Sequence, residues 1–132
     1  AGHGIDMGTL REIVFDADHP AALARFWVTL LDGYAIRPYG DDEIARLAAM
    51  GLTPETDPTV LLDGPGPIVC FQTFPGSKRQ PRNRVHLDIA VSDRAAEVAR
   101  LIGLGACIAR ELDGCTVMRD PEGNNFCIVD RR

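Results

Sequence analysis

The chain has 132 residues, 45% hydrophobic and 25% charged, with a formal net charge of −5, ordinary composition for one compact domain or two small modules sharing a core. The acidic balance argues against nucleic-acid binding, which needs cationic surface. No apolar run approaches the roughly 18–20 residues that span a bilayer. Residues 1–9 are Gly-rich and patternless, read as a flexible N-terminal segment, and His3 there is a bystander. No charged-then-apolar export pattern opens the chain, so a cytoplasmic protein is the expectation.

Leu10–Ala17 reads as a strand with Ile13, Phe15 and Ala17 on one face and Glu12, Val14 and Asp16 on the other. Asp18-His19-Pro20 is a helix start, a capping acid followed by Pro in the first turn. The following helix carries Leu23, Phe26, Trp27, Leu30 and Leu31 in an amphipathic stripe, with Gly33 as its stop. That spacing makes Phe26 and Trp27 core residues. Tyr34–Tyr39 reads as a short strand. Asp41 or Asp42 then caps a second helical stretch that ends at Gly51. Val60–Asp63 and Ile68–Phe74 flank Gly64-Pro65-Gly66-Pro67, a hairpin with a loop. The polar, basic stretch around residues 75–84, with Lys78, Arg79, Arg82 and Arg84, reads as a solvated linker.

The pattern then starts again. Val85, Leu87, Ile89 and Val91 alternate with Arg84, His86, Asp88 and Ala90, as in a half-buried strand. Ser92 or Asp93 caps a helix stopped by Gly103 and Gly105. Ala106–Glu111 and Cys115–Arg119 flank the hairpin signal Asp113-Gly114. Phe126–Val129 is a last strand after the turn Asp120-Pro121-Glu122-Gly123-Asn124, in which Pro121 presets φ while Gly123 and Asn124 tolerate positive φ.

Both halves therefore read as strand, helix and further strands. Glu12 lies seven residues before His19, and His86 seven before Asp93, so Glu12 and His86 occupy equivalent positions on the two first strands. Both point away from the aliphatic face. If the two sheets curve about a pseudo-twofold axis, an acid and an imidazole converge between them, suited to a divalent metal or to proton transfer. Arg84, His86 and Asp88 share a face. Either Asp88 orients Arg84 in a structural trio, or Arg84 clamps an anionic ligand.

Cys70, Cys107, Cys115 and Cys127 show no Cys-x-x-Cys spacing and sit in apolar surroundings, where a free thiol behaves as a small buried hydrophobe. No Gly-rich phosphate loop follows a strand, so no nucleotide cofactor is expected, and no nucleophile elbow is present. His19 reads as an exposed turn residue.

The stretches IVFDADHPAALARFWVTLLDGY, PRNRVHLDIAVSD and MRDPEGNNFCIVD resemble the vicinal oxygen chelate superfamily, which includes glyoxalase I, bleomycin-resistance proteins and extradiol dioxygenases. The narrower likeness is to small glyoxalase-like domain proteins. The resemblance implies an α+β fold of two βαβββ modules forming one concave mixed β-sheet, with a ligand site in the cup between them. Residues 10–132 would form a single domain, with module one at about 10–75, a linker at about 76–83 and module two at about 84–132. A homodimer is implied, with modules paired within a chain or exchanged between chains.

Superfamily enzymes usually hold a divalent metal with His and Glu on the first and last strands of the modules. Carried onto this chain, the first-strand positions are Glu12 and His86, the metal candidates. The last-strand position of module two is Cys127, and that of module one is Gln72 by a loose alignment. Asp16, Gln72, Arg84, Asp88 and Cys127 are the expected pocket residues, in a cup also lined by apolar groups such as Phe74. Glu12 and His86 are ordinary ligands for a hard or borderline metal, whereas Gln is a weak neutral ligand and Cys favours a softer ion. The favoured expectation is a protein that binds or sequesters a small organic, antibiotic-like ligand without chemistry. The alternative is a divalent-metal-dependent lyase, isomerase or dioxygenase acting on vicinal oxygens.

Overall fold

The computed structural model describes residues 10–73 and 86–131. Module one contains β1 (Glu12–Asp16), α1 (Pro20–Val28), β2 (Ala35–Ile36), α2 (Asp41–Ala49), β3 (Thr59–Asp63) and β4 (Ile68–Gln72). Module two contains β5 (Leu87–Val91), α3 (Arg94–Gly103), β6 (Cys107–Leu112), β7 (Cys115–Arg119) and β8 (Asn125–Asp130). The strand orders are β1-β4-β3-β2 and β5-β8-β7-β6. In each sheet the first strand runs parallel to the last, and the remaining pairs are antiparallel. The repeat read from the sequence is thus a repeat of topology, with α2 inserted only in module one. The expected linker, Phe74 and Arg84 lie outside the described residues.

The α+β fold of two modules is as expected, and its strands form two four-stranded mixed sheets. β1 and β5 each pair with the last strand of their own module, and side chains rather than a ladder join the halves among the described residues. Ile13 and Phe15 sit opposite Val69 and Phe71 in the ladder, and α1 covers this face with Leu23, Phe26 and Trp27, all buried. Trp27 also reaches module two. Its ring centroid lies 5.0 Å from that of Phe126 and 5.1 Å from that of Phe15. One apolar core therefore runs through both modules.

The α1 start corrects the expected cap. His19, not Asp18, is the N-cap residue, and its side chain makes no capping bond. The free amides are taken from across the molecule: Glu122 Oε1 accepts from Asp18 N at 2.6 Å and Oε2 from His19 N at 3.0 Å. A carboxylate at a helix N-terminus satisfies orphan donors and complements the helix dipole, so here a tertiary contact displaces the local one. α1 also ends before Gly33. Thr29 closes it by donating from its hydroxyl to Phe26 O at 2.8 Å, which leaves Leu30 as a buried turn residue. Gly40, not Asp41 or Asp42, caps α2, and those acids fill its first turn. At α3 the expected cap stands, with Asp93 Oδ1 accepting from Ala96 N at 3.1 Å.

Two turns need their glycines. Gly64 lies under the Tyr34 ring, where a Cβ would come within 2.5 Å of ring carbon; the phenol then donates to Pro67 O at 2.8 Å. Gly123 takes φ +88° in the turn before β8. Asn124 does not use positive φ there; it donates its side-chain amide to buried Asp120 instead.

Candidate functional site

Alternation along the strands sets what the open faces carry. On β1, Glu12, Val14 and Asp16 face away from the core, and Val14 is 47% exposed despite being apolar. Ladder partners project to the same side. Val14 is opposite Cys70 and Asp16 opposite Gln72, so Cys70 and Gln72 share this face. Glu12 is paired with Arg11, Oε1 to NH2 at 2.8 Å, and lies near Cys70. Burial first, and Glu12 second, push the Cys70 thiol up to about 11.

On β5, Asp88 is opposite Cys127 of β8. One ligand atom each from His86, Asp88 and Cys127 lies within 4.8 Å of the others. His86 Nε2 and Asp88 Oδ1 are 3.4 Å apart on half-open side chains, whereas Cys127 is buried. Burial, then the neighbouring Cys115 thiol and Asp88, push the Cys127 thiol up to about 12. Glu12 is not part of this group among the described residues. Each sheet thus carries its own group: Glu12 with Cys70 on the first, and His86 with Asp88 and Cys127 on the second.

The register also corrects the module-one equivalence. Val14 stands two residues after Glu12 as Asp88 stands two after His86, and their ladder partners are Cys70 and Cys127. The counterpart of Cys127 is therefore Cys70. Gln72 pairs one step further along, with Asp16. The sequence signal was the pair of apolar strands IVCFQ and FCIVD, each with one thiol, which spacing alone could not align.

Two further concavities lie away from these groups. One, of about 690 Å³, is lined by α3 together with Glu111, Thr116 and Asp130. At its edge Arg94 Nε donates to Asp130 at 3.1 Å and NH1 donates to Thr116 at 3.0 Å. The other, of about 510 Å³, lies between the end of α1, β5 and α3. Neither is lined by His86 or Cys127.

The four thiols divide into two kinds. Cys70 and Cys127 are the buried hydrophobes expected of them, but Cys107 is exposed and Cys115 half-buried. Cys107 lies on β6, a sheet edge whose residues are all exposed. Only the thiolate is alkylated, and a thiol titrating near 12 is ionised at pH 8 to about one part in ten thousand. Iodoacetamide at pH 8 should therefore label Cys107 fastest and Cys127 slowest, as read by peptide mass spectrometry over time. Equal rates at the two would contradict the burial described.

A model of the glyoxalase-like domain matches residues 12–129. The chain belongs to the glyoxalase-like domain family. Its solved structural neighbours share the fold. A glyoxalase/bleomycin resistance protein from Albidiferax ferrireducens is 18% identical, with 92% of this chain and 98% of that one covered at a TM-score of 0.58. A glyoxalase-related enzyme from Fulvimarina pelagi is 15% identical, covering 95% and 89% at 0.63. The trypanothione-dependent glyoxalase I of Leishmania major is 17% identical, covering 94% and 87% at 0.60. At these identities the likeness is one of fold. No curated protein matches the chain.

The resemblance read from the sequence implies a divalent metal, so the donor chemistry of the equivalent positions matters. In this chain they are Glu12, Cys70, His86 and Cys127. Two sulfur donors stand where an oxygen-preferring ion needs carboxylates. The set does not fit Mg²⁺, Mn²⁺ or Fe²⁺. Imidazole, carboxylate and thiolate together suit zinc.

Proposed function

We propose that this glyoxalase-like protein binds a small organic ligand over the open faces of its two sheets and sequesters it without chemical change. The observation that carries this reading is the donor set: Cys70 and Cys127 occupy the ladder positions opposite Val14 and Asp88. A reaction on vicinal oxygens needs a metal that polarises oxygen ligands, and these thiols disfavour one. The faces combine apolar surface at Val14 with polar groups at Asp16, Gln72, His86 and Asp88, the mixture that orients an organic molecule.

A homodimer belongs to the same reading. It is supported by β6, which carries Ile108 and Leu112 in the open on a sheet edge, a position that proteins normally cover or charge. Among the described residues no helix is long and apolar enough to cross a membrane.

The test uses two probes, bleomycin and the hemithioacetal of methylglyoxal and glutathione. Binding without turnover predicts that bleomycin raises the melting temperature by several degrees, since ligand at about 100 times its Kd adds roughly 2.7 kcal/mol. The hemithioacetal should be returned unchanged with zinc, nickel or manganese added. Metal-dependent conversion, followed by absorbance, would overturn the proposal in favour of a lyase.

A further inference from the structure

We propose that the open face of module two takes an organic anion, its carboxylate or phosphate group held by Arg110 and Arg119 and its apolar body laid along β7. This rests on the ligand-binding reading above and names the ligand class for one of the two sheets.

The first observation is a change of face within β6. Ile108 stands opposite Met118, yet the next paired residue is Arg110, opposite Val117, so Ala109 is the extra residue of a β-bulge. In an unbroken ladder Ala109 would oppose Val117, and Arg110 would oppose Thr116, which is buried on the side that α3 covers. The bulge turns Arg110 to the open face instead. Glu111 shows the same parity, since its Oε2 accepts from the Thr116 hydroxyl at 3.0 Å on the helix side.

The second observation is that the arginines brought together here lack a counter-charge. Arg11, Arg25, Arg37, Arg46, Arg94 and Arg100 each hold a carboxylate. Among the described residues Arg110 and Arg119 hold none, in a chain whose net charge is −5. Arg119 lies two residues beyond Val117 on the same face, opposite Cys107. Arg110 and Arg119 are thus diagonal neighbours, about 7–8 Å apart at the backbone, a spacing at which both long side chains reach one anion. Two cations this close repel until an anion lies between them, and guanidinium forks match carboxylate and phosphate oxygens.

The third observation is the grading of the face beside them. Leu112, Cys115, Val129 and Ala90 form one row across the four strands, all apolar, with Leu112 44% exposed. Arg110, Val117, Cys127 and Asp88 form the next row, and Cys107, Arg119 and Asn125 the one after. Rows two residues apart stand about 6.8 Å from each other, so the face runs from a cationic end to an apolar end over the length of a medium-chain amphiphile. Asp88 is three strands from Arg110, about 14 Å at the usual strand spacing, too far to neutralise it.

The full chain is titrated calorimetrically with octyl phosphate and octanoate, and with octyltrimethylammonium as a cation of like length. The expected result is binding of both anions, weakened by salt, with no heat from the cation and far weaker binding of ethyl phosphate. Arg110→Gln and Arg119→Gln should each weaken octyl phosphate by about tenfold or more. Deletion of Ala109 should cost as much as Arg110→Gln, because it returns Arg110 to the helix side with the net charge unchanged. Circular dichroism checks folding, and the two Arg→Gln variants, at exposed positions, decide the matter if the deletion does not fold. Affinity unchanged in both Arg→Gln variants, or tighter binding of the ammonium probe, overturns the proposal. If bleomycin binds and neither anion does, the ligand class fails while the ligand-binding reading stands. Variants that change sedimentation rather than affinity would mark this face as a contact between copies of the chain, which also overturns it.

Discussion

Trp27→Ala should cost about 3–5 kcal/mol of folding stability, the range for removing a large aromatic from a packed core. Trp27 is fully buried, and its ring meets Phe15 of β1, Phe26 of α1 and Phe126 of β8. The cavity left would lie where the two modules meet, between elements that no ladder joins. Relaxation is limited because both sheets hold their own geometry. Set against a total of about 5–15 kcal/mol for a domain, such a loss leaves the protein near its unfolding threshold. Trp27 is the only tryptophan, so urea unfolding must be followed by circular dichroism rather than fluorescence. A loss below about 1 kcal/mol, far under the usual cost, would mean that the modules share no core at this point.

Asp120→Asn should cost about 2–4 kcal/mol even though it changes shape very little. Asp120 is 3% exposed and carries four hydrogen bonds. Oδ1 accepts from the backbone amides of Glu122 and Asn124, each at 2.9 Å. Oδ2 accepts from Trp27 Nε1 and Asn124 Nδ2, also each at 2.9 Å. All four groups are donors. An asparagine offers one oxygen and one NH₂, so whichever way it turns, an NH₂ faces two donors and leaves them unsatisfied. The turn would lose its anchor on α1, and with it the placement of Glu122 against the amides of Asp18 and His19. A double-mutant cycle with Trp27→Phe isolates the indole share, because Phe keeps most of the ring and drops the N–H. Trp27→Phe should therefore cost less in the Asp120→Asn background than in the parent. A loss under about 0.5 kcal/mol for Asp120→Asn, the level of an inert surface change, would show that the network adds nothing.

These two residues show how the two halves share one core. Aromatic packing supplies the gain in free energy, and the Asp120 carboxylate fixes where the last turn sits on α1. The candidate ligands on β5 and β8 inherit that placement, since β8 starts immediately after the turn. A variant that loosens the turn is thus a control for any claim about His86 or Cys127.

The amino-acid sequence by itself determined the order of elements, the two-module repeat and the faces on which Glu12, Val14, Asp16, His86 and Asp88 would stand. Those features follow from period-two alternation and the helical stripe of Leu23, Phe26 and Trp27, which depend on neighbours a few residues apart. Its three motif stretches were also enough to identify the family. Only the tertiary structure decided which residue of β4 matches Cys127. That depends on a parallel pairing between β1 and β4, more than fifty residues apart, whose register sets Cys70 rather than Gln72 opposite Val14. Only the fold could show that Glu122 caps a helix about a hundred residues earlier, or that Asp120 is buried as the acceptor for Trp27. Only the fold gathered His86, Asp88 and Cys127 into one group and set Glu12 beside Cys70. Spacing along a strand gives the direction of a side chain; what it meets is set by register and packing between distant segments.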